Sequence, residues 1–138
     1  MRAARAGCIA YAMLDGRIAF VALALGGCAA PAITAGVPKT VDRLVIAPYA
    51  LHEECVAMAR GDKLDWRYES GAPLAFEVHY REGGAVLAPV VRDGSSADSG
   101  TFEARDPREY CARWEAGASG AIVSYRLLLR TAPRQAAE

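Results

Sequence analysis

The sequence predicts an all-β fold, a single antiparallel jelly-roll-like β-sandwich of about eight short strands. Three observations predict it. Apolar and polar residues alternate with a period of two through the middle of the chain. Turn-forming residues recur about every 8 to 12 residues, the spacing of a sandwich. The central aromatic residues fall on one strand parity, whereas a helix would scatter them round every side.

The elements follow in order. Residues 44–46 (Leu-Val-Ile) make a short first strand closed by Pro48. Residues 49–60 include Leu51, Val56, Ala57, Met58 and Ala59, and this composition allows a helix as well as a strand. The centre of the chain then alternates strictly. Leu64, Trp66 and Tyr68 share one parity against Asp65, Arg67 and Glu69. After Ser70-Gly71-Ala72-Pro73, a turn signal, Leu74, Phe76, Val78 and Tyr80 oppose Glu77, His79 and Arg81. Residues 85–91 are an apolar run in which Pro89 suits an edge or a bulge. Residues 93–100 (Asp-Gly-Ser-Ser-Ala-Asp-Ser-Gly) read as a polar loop. Segments 101–104, 110–114 and 121–130 complete the set, the last with Val123, Tyr125, Leu127 and Leu129 against Ser124, Arg126 and Arg130.

The N-terminal region reads as an export signal. Arg17 precedes the apolar run 18–25, then Gly26-Gly27-Cys28. That run is too short to span a bilayer permanently and has the plan of a secretory signal. Leu25-Gly26-Gly27-Cys28 resembles the lipobox of bacterial lipoproteins. In that family the chain is cut before the cysteine, which then carries the acyl chains that fix it to a membrane. The resemblance implies lipidation at Cys28, and a bacterial cell-envelope protein facing the periplasm. The alternative is an ordinary signal with a cysteine near its end. Met13 is a second candidate start, since 13–17 makes a more usual signal opening than Met1. The resulting domain plan is 1–27 signal peptide, 28–40 lipidated linker, 41–131 sandwich and 132–138 disordered tail.

Composition excludes some functions. From Cys28 onward 13 Lys and Arg face 15 Asp and Glu, so the exported part is near −2. A nucleic-acid surface needs a concentrated positive excess, and none is expected here. Nucleophile-elbow, P-loop and dinucleotide motifs are absent from the sequence.

Cys55 and Cys111 are the two cysteines left in the exported domain once Cys28 is lipidated and Cys8 leaves with the leader. An even count in an oxidising space reads as a structural disulfide. Two free thiols or a metal pair are the alternatives, although the close CxxC spacing of a zinc site is missing.

Several of these residues together resemble a known family. Glu54-Cys55-Val56, Gly61 with its alternating strand, Gly100-Thr101-Phe102 and Tyr110-Cys111-Ala112-Arg113-Trp114 are similar to the GOLD (Golgi dynamics) domain. Residues 76–83 (Phe-Glu-Val-His-Tyr-Arg-Glu-Gly) are closer still to GOLD-like domains of small exported bacterial proteins. The resemblance covers about residues 44–129. It implies a jelly-roll-like sandwich, a strand over 49–60 and a Cys55–Cys111 disulfide. Val56 stands where the receptors of that family usually have an aromatic, and Glu115 where an Asn is common. The family's coiled coil and C-terminal membrane helix have no counterpart in the sequence, so coat binding and cargo transport are not implied.

Three chemistries compete with a purely structural reading. His52 and Glu54 share a strand face while Cys55 points the other way, so His52 and Cys55 do not meet without a bend. A His52–His79 metal site with a carboxylate requires their strands to be neighbours. The bland alternative leaves both histidines on the surface, with His79 on the wet face beside Glu77 and Arg81. Asp62, Asp65, Glu69, Glu77 and Glu82 offer a carboxylate pair for hydrolysis, against a solvated face of mixed charge. Trp66, Tyr68, Phe76, Tyr80 and Trp114 line either a ligand cleft or, by their shared parity, the core.

The sequence therefore reads as a membrane-anchored, non-catalytic binding or interaction module with no cofactor. Its partners are the membrane, through the anchor, and an envelope protein. A periplasmic metal-binding protein using His52 and His79 is the alternative.

Overall fold

The computed structural model describes residues 31–134, and the leader, Cys28 and the last four residues lie outside it. The chain is all β. Its strands are β1 (Lys39–Ile46), β2 (Leu51–Met58), β3 (Lys63–Glu82), β4 (Ala85–Glu103), β5 (Arg108–Ala116) and β6 (Ala121–Arg130). All pairings are antiparallel. The path runs β1-β6-β3-β5-β2, with β4 on the remaining side of β3.

β3 explains why this single sheet is a sandwich. Its first part, Lys63 to Ser70, pairs with β6, and its second, Leu74 to His79, pairs with β5. β4 follows β3 through both parts, and their register shifts between Glu69 and Leu74. The two long strands bend together there and pass from one layer to the other. One layer holds β1, β6 and the first part of β3. The other holds β2, β5 and the second part.

The eight predicted segments thus become six strands. The residues between the two central runs, 70–73, bend a continuous strand and do not form a hairpin turn. The polar stretch 93–100 is also strand, not loop, because its backbone completes the ladder with β3. β2 is a strand, as the resemblance implied.

The core lies between the layers. Trp66, Tyr68, Phe76 and Trp114 are buried, as their parity predicts. Trp66 and Phe76 meet across the gap with ring centroids at 5.2 Å, and Phe76 lies against Trp114, its partner on β5 in the same layer, at 5.3 Å. Trp114 also stacks on Tyr125 at 4.4 Å. Gly100 is paired with Trp66, and a Cβ there would come within 2.3 Å of the indole. The indole N–H donates to Asp98 at 3.2 Å. The polar run is therefore the roof over the largest ring of its layer.

The domain edges differ from the plan read in the sequence. β1 begins at Lys39, Ile33 is already packed into the core, and Gly36 N–H donates to the Leu129 carbonyl at 2.8 Å. Ala132, placed in the tail by the sequence, is held by Asp62, whose Oδ1 accepts its N–H at 2.9 Å. The other oxygen of Asp62 accepts from Ala59 N–H at 2.8 Å. This buried carboxylate is a structural tie between a turn and the chain end, not one of a solvated charged face.

Candidate functional site

Antiparallel register places Cys55 directly opposite Cys111 on β2 and β5. They form a disulfide with S–S 2.06 Å and Cα–Cα 4.0 Å. Their separation of 56 residues gives the bond a loop-closure value of about 4 kcal/mol in the chain-entropy model. Such a bond belongs to an oxidising compartment.

His52 and His79 do not form one site. β5 runs between their strands, since His52 is paired with Trp114 and His79 with Cys111 on its other side. The two also face opposite sides of the layer. His52 points toward the core side, its ring 5.9 Å from that of Trp114. His79 is on the outer face with Glu77, as its parity requires, but it is only 1% exposed. Glu53 Oε1 at 2.8 Å and Glu77 Oε1 at 3.1 Å close over it. Parity identifies the face; the neighbouring long side chains decide that this position is dry.

His52 belongs to a polar cluster at the open side of the sandwich. Its Nε2 lies 2.8 Å from the Tyr125 hydroxyl, which donates to Glu54 Oε1 at 2.5 Å. Lys39 Nζ donates to the other oxygen of Glu54 at 2.6 Å. Burial alone would push the Glu54 carboxyl up. Hydrogen bonds from Lys39 and Tyr125, with the charges of Lys39 and His52, outweigh burial and hold it below its ordinary value. Burial and the Glu54 carboxylate together push the Tyr125 hydroxyl far up, so it remains a donor.

The other carboxylates weighed for hydrolysis face cations. Arg130 grips Asp65 at 2.6 and 2.7 Å, and this bidentate contact keeps the carboxyl low. Glu69 pairs with Arg67 at 3.1 Å, Glu77 with Arg113 at 2.6 Å and Glu82 with Arg108 at 3.3 Å.

Two surfaces are candidates for contact with a ligand or partner. A groove of about 670 Å³ is lined by Tyr80, Phe102 and Tyr110, with Glu103, Arg105 and Asp106 among its walls. Of the aromatics weighed for a cleft, Tyr80 alone lines it; Arg108 lies 4.4 Å over its ring.

The second surface is the turn 47–50, and the sequence did not single it out. Ala50 N–H donates to the Ala47 carbonyl at 3.0 Å, with Pro48 and Tyr49 between them. Tyr49 has φ 57° and is 76% exposed. This is the hydrogen bond and positive φ of a type II turn, where Gly or Asn is usual at the Tyr49 position. The conformation is enforced from outside. Tyr49 N–H donates to the Gly117 carbonyl at 3.2 Å, and Ala116 N–H donates to the Ala50 carbonyl at 3.0 Å. A facing turn, 117–120, is closed by Gly120 N–H donating to the Gly117 carbonyl at 3.1 Å, and Gly120, with φ 66°, lets it approach, since a Cβ there would sit 2.9 Å from the Ile46 carbonyl. Three further exposed apolar side chains ring this end: Val45 and Ile122, paired across β1 and β6, and Leu51 at the start of β2. Pro48 was legible as the stop of the first strand, but the residue after it carries no sequence signal of a strained conformation.

Fold and bond together define the class, a small disulfide-bonded β-sandwich. No family model matches the chain, and no curated protein matches it. Among solved structures it is similar to Aeromonas hydrophila PliG, a periplasmic lysozyme inhibitor of g-type lysozyme. The TM-score is 0.54 at 11% identity, over 67% of this chain and 86% of that one. It also aligns with the Yersinia pseudotuberculosis-derived mitogen, TM-score 0.44 at 13% identity, over 72% and 88% of the two chains. A de novo designed double-stranded β-helix aligns at TM-score 0.35 and 17% identity, over 68% and 96%. At 11% identity the likeness to the inhibitor is one of fold.

Proposed function

We propose that this chain is a non-catalytic binding module of the bacterial envelope, lipid-anchored at Cys28, that docks a protein partner through the turn 47–50. The observation that carries the reading is Tyr49: an exposed aromatic held in a conformation that disfavours it, at the centre of an apolar end. Backbone strain of this kind concentrates at ligand-contacting sites, and tyrosine is enriched among the residues that dominate protein interfaces. Kinship to the GOLD-like exported modules is part of the same proposal and is supported by the Cys55–Cys111 bond. The pairing of the surface carboxylates with cations supports a non-catalytic role.

The fold likeness to a periplasmic inhibitor of g-type lysozyme makes an extracytoplasmic hydrolase of that kind the first partner to try. The test uses Tyr49→Gly. Gly removes the aromatic and relieves the positive φ, so the domain melts no lower than the wild type. Partner capture from crosslinked envelopes, and binding to a g-type lysozyme, are expected to drop at least tenfold. Undiminished capture by this variant overturns the reading. Loss of binding in Tyr80→Ala instead would assign the site to the groove.

A further inference from the structure

On the outer face of the layer formed by β3, β5 and β2, register sets two rows side by side. His79, Cys111 and Cys55 form one row, and Glu77, Arg113 and Glu53 form the next. His79 is buried, and neither ring nitrogen makes a hydrogen bond of acceptable geometry. Glu53 and Glu77 are close enough at 2.8 and 3.1 Å, but the ring N–H directions miss them. A buried imidazole normally has partners at its polar atoms.

The unsatisfied ring is aimed into a set of metal-ligating groups. One donor atom each from His79, Glu53 and Cys111 lie within 4.8 Å of one another. Cys55, Cys111 and Glu109 form a second such group that shares Cys111. Imidazole, carboxylate and two cysteine sulfurs make up the donor set of a four-coordinate zinc site. In the oxidised chain the two sulfurs are bonded to each other, and the sulfur ligand a metal needs is the thiolate.

We propose that this cluster is a redox-gated metal site: once the Cys55–Cys111 disulfide is reduced, the two thiolates, His79 and Glu53 bind one zinc-class divalent cation. A dithiol reductant supplies two electrons and two protons. Its own sulfurs become a disulfide, and the Cys55–Cys111 bond becomes two thiols. The cation then displaces both thiol protons to solvent. His79 ligates through Nε2, the nitrogen nearer Glu53, and its Nδ1 faces Glu77 at 3.1 Å. Arg113, 2.6 Å from Glu77, holds that second carboxylate out of the coordination shell. Four protein ligands close the shell, which makes the site one that holds the three strands and protects the thiols from reoxidation. It lies apart from the Tyr49 turn and does not depend on the docking role.

The test is zinc titration of the full chain before and after reduction by a phosphine. The reduced chain is expected to take up about one equivalent tightly and the oxidised chain none. Cobalt in place of zinc should give thiolate charge-transfer absorption in the reduced chain. His79→Ala removes a ligand and should weaken binding by more than the roughly 10- to 100-fold lost with an outer-shell partner, and His52→Ala should not change it. Bound zinc should also slow reoxidation. Equal uptake by both redox forms, or uptake indifferent to His79→Ala, overturns the proposal. If reduction unfolds the chain, zinc must restore the strand signal in circular dichroism for the wild type and fail for His79→Ala; absence of that rescue overturns it as well.

Discussion

Lys39 and Glu54 stand on the two strands that end the hydrogen-bonded path β1-β6-β3-β5-β2, and their side chains meet at 2.6 Å. No backbone ladder joins β1 to β2. The sheet curls until its ends face each other, and this partly buried ion pair closes the gap. Tyr125 and His52 extend it into a chain of contacts that reaches Trp114.

The pair gives stability a pH dependence of known sign. The Glu54 carboxyl titrates lower in the folded chain than in the unfolded one. Its contribution is therefore fully present above about pH 4.5, the ordinary glutamate value, and is lost as pH falls through the folded value. Glu54→Gln should melt lower than the wild type at neutral pH and lose less on acidification. Parallel acid melting profiles for the two proteins would contradict this.

Trp66 and Phe76 meet across the layers. Trp66→Ala or Phe76→Ala should each cost about 3–5 kcal/mol, a large share of the total stability of a domain this size. Denaturant unfolding measures it. A midpoint unchanged in both variants would mean that the aromatic face is not the core.

Gly100 carries a sharper test of the same packing. Gly100→Ala drives a methyl group into the Trp66 indole and should cost about 1–3 kcal/mol. Gly71→Ala is the control, because no atom lies within 4 Å of its added Cβ. Equal melting temperatures for the two variants would contradict the roof described for Trp66.

The disulfide is checked by counting thiols. In unreduced, denatured protein, Cys55 and Cys111 should not react with a thiol label until a reductant is added. Replacing either by Ala should cost about 4 kcal/mol and leave a free sulfur able to crosslink two chains.

The anchor is checked at Cys28. Cys28→Ser should block lipid attachment and leave the precursor uncut. A variant processed and released like the wild type would mean an ordinary signal peptide.

Alternation made the fold class and the main core residues legible, because Trp66, Tyr68, Phe76 and Trp114 each occupy the parity that the sequence gives them. The cysteine pair was legible from its even count and the family resemblance. The polar run 93–100 was not, since a strand at an exposed edge satisfies its backbone without an apolar face and so shows no period. Nor was the burial of His79, which depends on Glu53, brought alongside from a strand two places away. Tyr49 was missed because its positive φ is imposed by Gly117, whose place beside it is settled only by the fold. All three depend on contacts distant in sequence.

β4 pairs with β3 alone, so its 19 residues border both layers with one free side. A straight border of that length would be a template for another copy of itself. Here its register slips three times: around Ala88-Pro89, around Asp93-Gly94, and between Ser95 and Ala97 opposite the bend of β3. Pro89 lacks a donor, and Gly94 turns the backbone with φ 63°. The interruptions leave no long uniform stretch on which a second molecule could align. The free side of β4 is therefore a poor template for a second copy.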